Sequence, residues 1–323
     1  MKDLKLKVLS KRDMDAIHAA TLQVLMDPGI LVNHERSRKI LKENGCIVDD
    51  RTFVVKFPEE VVKKALSTAP DSFTFHSRDG KHDVKMVSDG SVTNNLTFGV
   101  GIKVTEYLGD GKYNTRNSTL QDLKNIAKLV DACENIDWVC SPLTAMDYAI
   151  EPPVRTLREF DAVLSNTGKP FLPDPDPDYL GDYHKLIKAV YDGDEEKALK
   201  EPFLMVGGCP SSPLQLDHAA CIMATEGGDY GFPMMSLSMA MGAASSPIHL
   251  AGTLVTHNAE VLALVVLTQL AHPGRNTYYG SSTTSFDFYS NSAPVGSPEL
   301  GLISAGVAQL AQYYKMPTIV AGT

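Results

Sequence analysis

The chain has 323 residues, 43% hydrophobic and 21% charged, which supports a real packed core and excludes a disordered or low-complexity protein. Thirty-nine acidic against 30 basic residues give a net charge of −9, which disfavours nucleic acid and membranes as partners and suits a small cationic ligand. Cys46, Cys133, Cys140, Cys209 and Cys221 contain no C-x-x-C pair, so a reducing, cytoplasmic setting is expected rather than a disulfide framework. Charges interrupt the opening MKDLKLKVLSKRDMDAI, leaving no secretory signal, and the most apolar helical stretch, residues 261–270, is too short to span a bilayer.

In chain order, residues 13–25 read as a helix carrying Met14, Ile17, Leu22 and Leu25, stopped by Pro28-Gly29. A second helix at 34–44 ends at Gly45. A strand at 54–57 then runs into Pro58, a residue suited to a first helical turn. Alternation at 73–75, 84–86 and 102–107, the last closed by Gly109-Asp110-Gly111, predicts hairpins. Ser118 and Gln121 form a capping box for a helix reaching Leu129.

From Trp138 onward a strand–helix unit repeats. Apolar strands are predicted at 138–140, 170–172, 203–206, 234–239, 277–279 and 318–320, with helices at 154–164, 179–191, 214–225, 248–270 and 299–314. This predicts an α/β fold: a TIM (β/α)8 barrel, incomplete with about six strand–helix units over residues 131–323, plus an N-terminal α+β extension over residues 1–130. An open doubly wound sheet is the alternative, because six strands do not easily close a barrel. Loops rich in Pro, Gly or Ser follow the strands, where barrels of this class place their chemistry.

Four candidate regions follow. The segment 278–284, with Tyr279, Ser282 and Thr283, either orients a polar substrate or is a polar turn. Glu299, behind the Ser297 cap and Pro298, either favours the helix dipole or serves as a general base or ammonium counter-ion. His257, Asn258 and Glu260 share one helix; Glu260 is either substrate-facing or structural, and the spacing is not that of a helical zinc site. Asp174, Asp176 and Asp178 alternate with prolines and read as a rigid acidic turn rather than a calcium loop. Cys209 follows a strand but has no paired base in the sequence, and no dinucleotide or P-loop fingerprint is present.

Several segments carry a family resemblance: Val24-Leu25-Met26-Asp27-Pro28-Gly29-Ile30, Lys42-Glu43-Asn44-Gly45-Cys46, Cys133-Glu134-Asn135-Ile136-Asp137, and residues 237–241, 250–262, 279–284 and 293–304. Over residues 9–323 the chain resembles the trimethylamine methyltransferase family. The resemblance implies a complete (β/α)8 barrel, with pyrrolysine, encoded by an in-frame amber codon, expected directly after Thr323. It further implies methyl transfer from trimethylamine to the cobalt(I) of a corrinoid held by a cognate partner protein, with no metal or tightly bound cofactor of the chain's own. Glu260 and Glu299 are then expected to handle the amine's charge and proton, Tyr279, Ser282 and Thr283 to shape the pocket, and the whole protein to form a homo-oligomer. Two alternatives remain: a pyrrolysine-free enzyme acting on glycine betaine or another quaternary amine, and a non-catalytic scaffold that binds a corrinoid protein.

Overall fold

The computed structural model describes residues 6–97, 99–147, 152–174 and 176–321. The first part of the chain runs α1 (Lys11–Met26), β1 (Ile30–Val32), α2 (Glu35–Glu43), β2 (Ile47–Val48), β3 (Val54–Lys56), α3 (Glu59–Thr68), β4 (Ser72–Phe75), β5 (Val84–Val87), β6 (Lys103–Gly109), β7 (Lys112–Asn117) and α4 (Leu120–Ala132). The repeating part follows: β8 (Val139–Cys140), α5 (Pro152–Leu164), β9 (Phe171–Leu172), α6 (Leu180–Val190), α7 (Glu195–Lys200), β10 (Val206–Gly208), β11 (Gln215–Leu216), α8 (His218–Thr225), β12 (Met234–Ser238), β13 (Met241–Gly242), α9 (Leu250–Ala271), β14 (Thr277–Ser281), β15 (Thr284–Ser285), α10 (Pro298–Tyr313) and β16 (Thr318–Val320).

All six predicted strands of the repeat are present and parallel. β8 pairs with β9, an isolated bridge from Phe171 to Leu204 carries the pairing toward β10, and β10, β12, β14 and β16 continue in that order. Every residue of β12 and of β14 is buried, as strands covered on both faces must be. Among the described residues β16 pairs only with β14, so the strands make an open curl rather than a closed cylinder. The fold is α/β, with antiparallel pairs β1–β3, β2–β3, β4–β5 and β6–β7 beside the parallel set.

Two apolar clusters separate the faces of the curl. Met234 and Tyr279 belong to the outer one, shared with the helices, whereas Met235, Leu237, Tyr278 and Ile319 belong to the inner one. This is the two-residue alternation of a strand, seen on β12 and β14 and continued by Ile319 on β16. The β4–β5 hairpin fills the hollow: Phe75, Val84 and Met86 join the inner cluster, with the Phe75 ring 5.7 Å from Trp138 and Phe73 4.9 Å from Tyr278. These contacts fall on the early residues of the strands, so the hairpin plugs one end and leaves the C-terminal ends open.

Outside the wall, α9 is the central helix. It packs against α1, α2, α3, α8 and α10 as well as β12 and β14. At 22 residues it is long and apolar enough to cross a membrane, unlike the shorter stretch read from the sequence, but most of it is buried within the fold. The N-terminal region shares this core: β1 pairs in parallel with β11 through Leu31–Gln215 and Val32–Leu216. The apolar core runs across residue 130, with residues of both regions in one cluster.

The cap of α4 lies one residue beyond the Ser118–Gln121 reading. Thr119 accepts from the Asp122 backbone N–H, and the Asp122 carboxylate returns a bond to Thr119. Arg116 fixes that carboxylate at 2.7 and 2.8 Å, while Ser118 donates to the Thr144 carbonyl instead. Replacing Phe75 with alanine removes the centre of the plug; Phe75→Ala is expected to cost about 3–5 kcal/mol in urea unfolding, and a loss below about 1 kcal/mol would contradict the plug.

Candidate active site at the open end of the strands

The strand ends deliver Cys140-Ser141, Pro173-Asp174, Cys209, Met239 and the 281–284 segment to one face. Asp174, Cys209 and Met239 reach solvent there. The surrounding protein pushes the Cys209 thiol up to about 12, first by removing water and then through the charges of Glu260 and Asp217, so it stays neutral.

Glu260 is fully buried between α9 and the strand wall. Its carboxylate accepts from Ser212 Oγ at 2.7 Å, Leu214 N at 2.9 Å and Ser238 Oγ at 2.7 Å. Burial raises its pKa, and these three donors oppose the rise. The side chain thus ties the loop after β10 to the end of β12 and faces the helix layer.

Tyr279 and Thr283 face the same layer. Tyr279 donates its hydroxyl to Asn258 Oδ1, and Asn258 Nδ2 donates to Tyr314 Oη and Thr21 Oγ1, both at 2.8 Å. Tyr314 Oη in turn lies 3.0 Å from His18 Nδ1. Thr283 donates to the Ser238 carbonyl at 3.2 Å and lies 2.9 Å from His257 Nδ1. With the Thr283 proton committed, His257 Nδ1 is the donor and its Nε2 a bare acceptor. Burial holds His257 down at about 3.

Ser282 is half-buried, and its backbone N–H donates to the Ser238 carbonyl at 2.9 Å. Glu299 is exposed in the first turn of α10, behind the Ser297 cap. The structure therefore brings Glu260, Thr283 and Tyr279 together behind the wall, with Ser282 at the strand ends and Glu299 on the outer rim. The position after Thr323 lies outside the described residues.

A charged group at the ends of β8 and β9 was not singled out from the sequence. Glu159 on α5 is buried, accepts from Ala145 N at 2.6 Å and lies 3.9 Å from Arg155 Nε. Burial raises the pKa of Glu159 and, separately, that of Asp174; Arg155 opposes both. The acidic turn was legible, but nothing local marked α5 as its neighbour. A separate cavity of about 310 Å³ lies between residues 86–96 and β16, without an acid, a base or a cysteine in its lining.

The fold and this open face define an α/β protein with a chemically furnished mouth at the C-terminal ends of parallel strands. The profile described as Trimethylamine methyltransferase (MTTB) matches residues 2–323, and the chain belongs to that family. Trimethylamine methyltransferase MttB of Methanosarcina barkeri is 48% identical over 99% of this chain and 64% of its own length. Glycine betaine methyltransferase of Desulfitobacterium hafniense is 29% identical over 97% of the chain and 64% of its own length. The crystal structure of the Methanosarcina barkeri monomethylamine methyltransferase (MtmB) superimposes with a TM-score of 0.59 at 10% identity, covering 98% of this chain and 69% of that one. The chain spans about 64% of the length of the curated relatives it matches.

Two outcomes follow from the network behind the wall. Removing Glu260 leaves Leu214 N and two serines without their acceptor, so Glu260→Ala is expected to cost about 2–4 kcal/mol and to expose residues 209–214 to proteolysis; an unchanged melting curve and cleavage pattern would contradict the anchor. His257 has a folded pKa below its unfolded one, so its contribution is complete above about pH 6.5 and is lost as pH falls toward 3. Between pH 7 and 5 the wild type should lose about 2 kcal/mol more than His257→Gln, read from urea unfolding at each pH. Parallel curves would refute the assignment.

Proposed function

We propose that this chain supplies most of the catalytic barrel of an enzyme that moves a methyl group from trimethylamine to a corrinoid protein in the cytoplasm. The observation that carries the reading is the near-complete match of the chain to trimethylamine methyltransferases at 48% identity, against 29% for the glycine betaine enzyme. In a protein of the relatives' length, the six parallel strands are the first six of a (β/α)8 barrel, and further strands continue from β16. Residues 1–130 then act as plug and cover, and residues 131–323 as the barrel wall.

The partner's cobalt supplies the nucleophile that accepts the methyl group. The open end suits that exchange, because the β4–β5 hairpin obstructs the other end of the hollow. The chain's own residues bind and orient the amine. Ser282 borders the mouth, Tyr279 and Thr283 stiffen the wall behind it, and Glu260 holds the loop after β10 in place as a positioning residue. Glu299 adds negative charge at the rim. Orientation matters because the nitrogen, carbon and acceptor must line up for transfer.

The test uses the protein at its relatives' full length with a reduced corrinoid protein, following the visible spectrum of the methylated corrinoid. Trimethylamine is expected to outpace glycine betaine at least tenfold. No transfer from trimethylamine, or the reverse preference, overturns the reading.

A further inference from the structure

We propose that Asp174 is the substrate carboxylate of the mouth: it binds the trimethylammonium cation and takes its N–H proton. This rests on the trimethylamine reading and assigns a catalytic residue within it.

Glu260, Glu159, Glu299 and Asp217 at this face are already committed or displaced, Asp217 by accepting from Ser211 Oγ and Ala220 N. Glu260 is buried and accepts three hydrogen bonds behind the wall. Glu159 is buried against Ala145 N and Arg155. Glu299 sits exposed on the rim. Asp174 follows Leu172 by two residues, and Leu172 belongs to the inner cluster and ends β9, so Asp174 stands in the loop at that strand's C-terminal end. It reaches solvent, and burial and the Arg155 charge, with no hydrogen-bond donor among the described residues, act on its carboxylate. Pro173 restricts the backbone that carries it.

The charged surroundings suit a cation. Arg155 and Glu159 approach from α5, and the Cys140 thiol, pushed up to about 12, is neutral beside it on β8. Asp176 uses its side chain to accept from Asp178 N. Arg155 is shared with Glu159, so it does not neutralise Asp174 alone. Burial raises the Asp174 pKa, which narrows the gap to an alkylammonium titrating at about 10, as a lysine does. The N–H bond breaks with its electron pair left on nitrogen, an O–H bond forms on Asp174, and the proton passes to water through the open end.

The experiment measures binding of trimethylammonium and tetramethylammonium chloride to the 323-residue chain by calorimetry, and the pH profile of kcat/KM in the full-length protein. Asp174→Asn is expected to weaken binding of both cations at least tenfold, with Asp174→Glu within threefold of wild type and Asp178→Asn unchanged. In Asp174→Asn the kcat/KM profile should rise with pH toward the amine's own pKa, because only free amine then reacts. Asp174→Ser, small and neutral, repeats the test should the asparagine variant misfold. No cation binding to the wild type, or equal binding and an unmoved profile in the neutral variants, overturns the proposal. A wild type that binds both cations through Asp174 but transfers no methyl from trimethylamine sinks the functional reading and leaves this one standing.

Discussion

Parallel strands buried on both faces need apolar cover on both faces, and this chain provides it from opposite directions. Inside the curl, the β4–β5 hairpin sets Phe75, Val84 and Met86 against Trp138, Met235 and Tyr278. Outside, α9 lies against β12 and β14 and is itself enclosed by the N-terminal helices. Each layer is covered only because the other elements are in place. The N-terminal region is therefore part of the folding unit of the strands, since α9 without α1, α2 and α3 would expose a long apolar surface to water.

Burying α9 so thoroughly constrains its polar residues. His257, Asn258 and Glu260 lie within four positions of one another and are all fully buried. An unpaired buried polar group costs about 1–3 kcal/mol, so each must find partners on the elements it meets. Asn258 finds α1, α10 and β14; Glu260 finds the loop after β10 and the end of β12; His257 finds Thr283. Together they pin the ends of β12 and β14 from behind. A mouth whose strand ends are fixed in this way can hold inward-facing groups in register, whereas loops held only by their own turns could not.

Much of this was legible in the sequence. Five of the six strands, the long helix at 248–270 and the Ser297–Pro298 helix start appear where apolar runs and capping residues put them, while the third strand lies at Val206–Gly208 rather than 203–206. The direction of Glu260 was not legible, for a physical reason: a helix that is apolar all round has no polar face to show which side meets the wall. The shift of the α4 cap arose because Ser118 and Thr119 are both competent caps, and only Arg116, brought by the β6–β7 hairpin, selects Asp122 as the reciprocal acceptor. The Arg155–Glu159–Asp174 group joins residues on different elements, which no local pattern reveals.

The same separation makes net charge a poor guide to how a chain of this kind would meet a cation. At physiological ionic strength the Debye length is about 8 Å, so most of the −9 charge is screened from any given point on the surface. A carboxylate 4 Å from an ammonium in a partly desolvated mouth is worth about 4 kcal/mol at an effective dielectric of 20, enough to outweigh the screened remainder. Recognition therefore depends on where individual carboxylates are left unsatisfied. Behind the wall Glu260 accepts three hydrogen bonds and is part of the frame; Asp174, past the end of β9, is exposed and shares the Arg155 charge with Glu159. Structural and chemical carboxylates on this fold are told apart by their donors, and that accounting requires the packed structure.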